Sequence, residues 1–96
     1  MQVLVIGRIA TGTPTEQVLP LVKPEAAQVW DAYATEKLRA VYYIADMSGA
    51  VMVWDMSSLE AVEAELQKLP MVKAGVLTCE VISLKPYTGL AELFAQ

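Results

Sequence analysis

The chain contains no histidine and only one cysteine among its 96 residues. Without histidine, nucleophilic triads built on Ser-His and haem ligation through imidazole are excluded in their usual form. The single cysteine, Cys79, excludes an intrachain disulfide and makes a structural zinc site untenable. It lies in an apolar run, where a buried core thiol is expected rather than a reactive one. No phosphate-loop or dinucleotide fingerprint occurs. Basic residues are few and scattered, and the net charge is −4. Non-specific nucleic-acid binding needs a clustered positive field, so that partner is excluded. No segment approaches the roughly 20 apolar residues of a membrane span, and the N-terminus lacks a signal-peptide pattern. A soluble, cytoplasmic protein is expected.

What the chain does have is apolar surface. Hydrophobic residues make up 55% of it, against about 45–50% in an average domain even with glycine counted. The length suits one domain, residues 1–96, and so small a fold buries only roughly 60–70% of its unfolded surface. A monomer of this size cannot hide that surplus, which points to association.

The apolar residues fall into a definite order of elements. "QVLVIGRI", residues 2–9, reads as a strand. Thr13 can cap a helix with Pro14 at its first position and Glu16 three residues on. Pro20 and Pro24 should then break it, leaving a short turn and a proper helix opening near Pro24. On that helix Ala26, Ala27, Trp30, Tyr33 and Ala34 would share one side. "LRAVYYIADMSGAVMVWDM", residues 38–56, reads as a hairpin turning at "DMSG", with Gly49 available for positive φ. An even loop puts Arg39, Tyr43, Met52 and Trp54 on one face and Tyr42, Ile44, Val51 and Val53 on the other. Ser57 and Glu60 form a capping box for a helix carrying Leu59, Val62, Leu66 and Leu69 on one stripe, stopped by Pro70. "GVLTCEVISL", residues 75–84, is the last strand, followed by a short tail.

This order predicts an α+β, ferredoxin-like βαββαβ fold with a four-stranded antiparallel sheet. Both helices land on one face. The other, expected to carry Ile6, Val41, Met52, Trp54 and Ile82, is left bare although neither side of the hairpin is polar. Burying apolar area is worth about 25 cal/mol per Å², and a patch of several hundred Å² exceeds what a monomer usually exposes. A second copy packed sheet to sheet covers it, which gives a dimeric α/β barrel.

The second half, "VMVWDMSSLEAVEAELQKLPMVKAGVLTCEVISLKPY", resembles the muconolactone Δ-isomerase family of the dimeric α/β-barrel superfamily. The shared pattern is an apolar strand ending in an acidic residue, a Ser-Ser cap, an acidic amphipathic helix, a Leu-Pro stop and a final strand. Arg39 with the following "YYIA" is similar to the family's arginine-containing strand. The resemblance implies a homodimer or higher homo-oligomer that acts on a small organic acid or lactone by moving a proton, with no metal and no cofactor. It also places Glu25 near an acidic stretch of the family's first helix. The chain departs from the family pattern in having no histidine and in carrying Tyr43 where the family strand has a second arginine, so the resemblance does not carry over the family's own substrate.

Candidate site residues follow from the face that carries Arg39. With it would lie Arg8, Tyr43, Met52 and Trp54, and Thr78 and Glu80 of the last strand. Arg8 and Arg39 could clamp a carboxylate. Glu80, in an apolar cavity, would act as general acid or base; the resemblance, not the face, adds Glu25 as the other catalytic candidate. Trp30 and Tyr42 are expected in the core. The competing reading is non-catalytic: Glu80 pairs with an arginine to fix subunit register in a dimeric binding or accessory module.

Overall fold

In the computed structural model, which describes all 96 residues, strand β1 (Gln2–Ile9) lies inside a four-stranded sheet of order β2-β3-β1-β4. The partners are β2 (Leu38–Tyr43), β3 (Gly49–Asp55) and β4 (Leu77–Ser83), and every pairing is antiparallel. Helix α1 (Thr15–Ala34) connects β1 to β2, while α2 (Leu59–Leu66) and the one-turn α3 (Pro70–Lys73) connect β3 to β4. This is the predicted ferredoxin-like α+β arrangement. No helix is long and apolar enough to cross a membrane.

Proline did not break α1. The helix runs unbroken through Pro20 and Pro24, four residues apart and both exposed. A proline leaves the carbonyl four residues earlier without its donor. Here those carbonyls belong to Glu16 and Pro20, also exposed residues, and water can satisfy them. The expected Thr13 cap is replaced as well: Pro14 holds the N-cap position, and the Thr13 hydroxyl donates to the Ala10 carbonyl at 2.6 Å. Two further boundaries move. Ser58, not Ser57, caps α2, its Oγ accepting from the Ala61 N–H at 3.1 Å. Pro70 opens α3 at its first turn rather than merely ending α2, a position where its missing donor costs nothing.

The sheet's two faces follow from register. Val3 and Val5 of β1 stand opposite Trp54 and Met52 of β3. These side chains are buried beneath the helices with Leu38, Val62, Leu66 and Leu69. Met52 and Trp54 therefore belong to the helix side, not to the bare face. So does Val41, which is paired with Met52. The open face carries Leu4, Ile6, Val51, Val53 and Ile82. Within the hairpin, Tyr43, Met52 and Trp54 do share a side as expected, but a β-bulge between Leu38 and Ala40 takes Arg39 out of the alternation. Leu38 stands opposite Trp54 in its place. A bulge adds one unpaired residue and so reverses the phase beyond it.

Small residues set the spacing where β1 meets β3. A Cβ on Gly49 would overlap the Gly7 carbonyl oxygen, so glycine is required there for close approach. Positive φ in the turn is instead taken by Met47, at 63°. Asp46 Oδ1 accepts from the Ser48 N–H at 2.9 Å and supports that turn. We expect Gly49→Ala to cost at least about 2 kcal/mol, the scale of backbone overpacking. Urea unfolding checks this through a lower midpoint at unchanged slope; an unaltered midpoint would contradict the close approach.

Candidate active site

The helix face of the sheet is filled at one end only. Trp54, 1% exposed, and the α2 leucines occupy the far end. Towards the hairpin the floor includes the small Ala50 and the backbone of Gly49. Helix α1 passes over this floor and leaves a cavity of about 610 Å³. Val18, Val22, Val29, Trp30 and Tyr33 of α1 form its roof, with Tyr43, Met52 and Leu77 of the sheet below and Met47 of the hairpin at its edge. Of 17 lining residues 15 are hydrophobic. Glu25 is the sole charged one.

Glu25 is half-buried, and its Oε1 accepts from the Met71 N–H, at the start of α3, at 2.9 Å. No lysine or arginine reaches it. Burial disfavours the charged carboxylate and raises its pKa above the ordinary glutamate value of 4.5; the Met71 N–H opposes this without cancelling it. Half-buried Cys79 lies close by on β4. Burial raises the thiol's pKa and the Glu25 charge raises it further, so the sulfur stays protonated and is a poor nucleophile.

The residues proposed from sequence separate into four places. Glu25, Tyr43 and Met52 meet around the cavity. Trp54 is in the core. Arg8, Thr78 and Glu80 lie on the opposite face of the sheet, because Arg8 pairs with Thr78, and Ile6 with Glu80, in phase with the open-face residues. Glu80 is therefore not in an apolar cavity in the single chain. It faces Arg8 at 3.6 Å, with both side chains more than half exposed, an interaction worth about 0–1 kcal/mol. Arg39, extruded by the bulge, borders a separate hollow of about 320 Å³ with Glu36, Trp30 and Tyr33. One face does not hold all these groups, since the bulge and the β1–β3 register divide them.

Trp30 and Tyr42 correct the expectation that they are core. They are 66% and 69% exposed and line the cavity. Trp30 and Tyr33 form a tilted aromatic pair with centroids 6.0 Å apart. The signal for this wall was present: Val18, Val22, Glu25, Val29 and Tyr33 recur at helical spacing, with a carboxylate inside an apolar stripe. A helix broken at Pro24 conceals that stripe.

The pKa shift carries a stability consequence. Between 4.5 and its raised native value, Glu25 holds a proton in the folded protein that the unfolded chain has released. Folding stability therefore falls as pH rises through that interval, and the whole penalty is present once pH exceeds the native value. Glu25→Gln keeps an acceptor for Met71 and removes the penalty. Denaturant unfolding should show the variant more stable than wild type at about pH 8, with the gap shrinking towards pH 4. A variant no more stable at the higher pH would contradict the desolvated carboxylate.

Comparison with known proteins agrees with this fold. The family model for muconolactone delta-isomerase matches residues 2–89. A structure of 5-chloro-2-hydroxyhydroquinone dehydrochlorinase from Burkholderia phenoliruptrix AC1100, in complex with 2,5-dihydroxybenzoquinone, superposes with a TM-score of 0.75 at 19% identity. That match covers 93% of this chain and 98% of the dehydrochlorinase. A muconolactone isomerase crystal structure also gives a TM-score of 0.75, at 20% identity over 91% of each chain. At such identities the likeness is one of fold. A search of curated protein sequences gives no significant match. The match to the family model extends over nearly the whole chain, and the protein belongs to the muconolactone delta-isomerase family.

Proposed function

We propose that this protein binds a small cyclic carbon acid, such as an unsaturated lactone, in the α1–sheet cavity and isomerises it by proton transfer through Glu25. The observation that carries this reading is a lone carboxylate, oriented by a backbone N–H, in an otherwise apolar cavity of ligand size. A base must lie within hydrogen-bond reach of the proton it removes and have a pKa moved towards working pH. Desolvation supplies the second condition. The Met71 contact supplies orientation through Oε1 and leaves Oε2 without a hydrogen-bond partner.

In the reaction, the ring C–H bond breaks and its electron pair moves into the carbonyl as an enolate, while the proton goes to Glu25. The Glu25 O–H then returns that proton to a different ring carbon. The double bond has moved, and no electrons have entered or left. Tyr33 and Tyr43, both lining the cavity, supply hydroxyls that can donate to the developing enolate oxygen.

Self-association belongs to the same proposal. The open face of the sheet is apolar, and beyond β4 the chain continues as an arm with a 3₁₀ stretch at Thr88–Phe94. Tyr87, Leu90, Leu93 and Phe94 on this arm are 59–82% exposed. The molecule is 60 Å long but only 27 and 19 Å across, with a radius of gyration of 15.6 Å, against about 13 Å for a compact chain of 100 residues. An arm this apolar has nothing to pack on in its own subunit. A second copy supplies both the missing sheet and a seat for the arm, with Arg8, Thr78 and Glu80 at the subunit contact. A non-catalytic module would share that assembly.

Two measurements test the proposal. Solvent deuterium exchange into an unsaturated lactone should be catalysed by the wild type and fall about 10²–10⁴-fold in Glu25→Gln. Equal exchange rates would remove Glu25 as the base. Light scattering should find the full chain as a dimer or larger, and removal of residues 86–96 should weaken the assembly; a monomer at micromolar concentration would contradict the subunit contact.

A further inference from the structure

The cavity's charge says more than its shape. We propose that it selects an uncharged ring, an unsaturated lactone or cyclic enone that carries no carboxylate of its own. This rests on the reading of the α1–sheet cavity as the ligand site.

Glu25 is the sole charged residue lining the cavity, and none of the lining residues is basic. Its carboxylate takes part in no ion pair, its one partner being the Met71 N–H. Cys79, the nearest titratable group on β4, is kept neutral by burial and by Glu25 itself. An anionic ligand would thus bring a second negative charge into apolar space beside the first, where like charges repel with little screening. The arginines that might clamp such a ligand are elsewhere. Arg8 is across the sheet and engaged with Glu80, while Arg39 borders the second hollow, which Glu36 also lines. A net charge of −4 adds a weak general bias against anions.

The polar groups that remain suit a neutral ring. Tyr33 and Tyr43 line the cavity and each carries a hydroxyl, a donor for a ring carbonyl that needs no charge on the ligand. The Trp30–Tyr33 pair, with an interplanar angle of 32°, gives the flat face of the ring an aromatic wall. Before reaction the site then holds one negative charge, that of Glu25. When the proton transfers, that charge passes to the ring oxygen among the tyrosines, and the cavity never contains two.

The experiment compares two ligands of nearly the same shape: a five-membered unsaturated lactone with a carboxymethyl side chain, and its methyl ester. Each is titrated against the full-length protein at about pH 8, by calorimetry and by tryptophan emission. Emission reports the cavity because Trp30 lines it while Trp54 is in the core. The ester should bind at least about tenfold more tightly than the acid, and Glu25→Gln should bring the two within about threefold by improving the acid. If the acid binds the wild type as tightly as the ester, the preference for a neutral ring is overturned while the cavity keeps its role as the ligand site. If neither ligand binds and the emission does not change, the cavity reading fails and this inference fails with it.

Discussion

One carboxylate held in apolar surroundings organises this molecule. Glu25 lines, with the small Ala50 of β3, a space between α1 and the sheet. Its bond to the Met71 N–H ties α1 to α3, so the contact that orients the carboxylate also holds the helix forming the roof. A partly buried carboxylate with no cationic partner costs stability.

Glu65 gives the internal contrast. Burial acts to raise its pKa too, but Lys37 and Lys68 hydrogen-bond it at 2.9 and 3.1 Å, and their effect prevails, so its pKa falls below the ordinary range. Glu65 is a charged clasp between α2 and the segment leading into β2. Glu25 has one neutral partner and moves the other way. Two glutamates in one small fold are thus driven apart by their surroundings. Such a divergence separates a structural carboxylate from a candidate acid-base group. The filled end of the sheet, with Trp54, Leu38 and the α2 leucines, supports a vacant end that contributes little packing.

Much of the fold was legible because its signals were local. The strand at residues 2–9, the hairpin, the leucine stripe of α2 and the last strand follow from period and punctuation, and their order leaves few topologies. The site was only half legible. Glu25, Tyr43 and Met52 were named and do come together, but Arg8, Thr78 and Glu80 were assigned to the same side. Which face a strand turns inward depends on partners distant in sequence, and the bulge at Arg39 has no marker such as glycine. The α1 prolines misled for a physical reason: their cost depends on whether the freed carbonyls meet water, and that is settled by packing. With the helix treated as broken, the stripe holding Glu25 was lost, and Trp30 was assigned to the core.

The account stands on the proton affinity of one side chain. Carbon-detected NMR of the glutamate carboxyls, with Glu25 assigned, gives its titration midpoint in the unmodified protein. The midpoint should lie above 4.5, and above those of the exposed glutamates in the same spectrum. A Glu25 midpoint at or below 4.5 would mean that the carboxylate is solvated or paired and that the cavity holds no poised base.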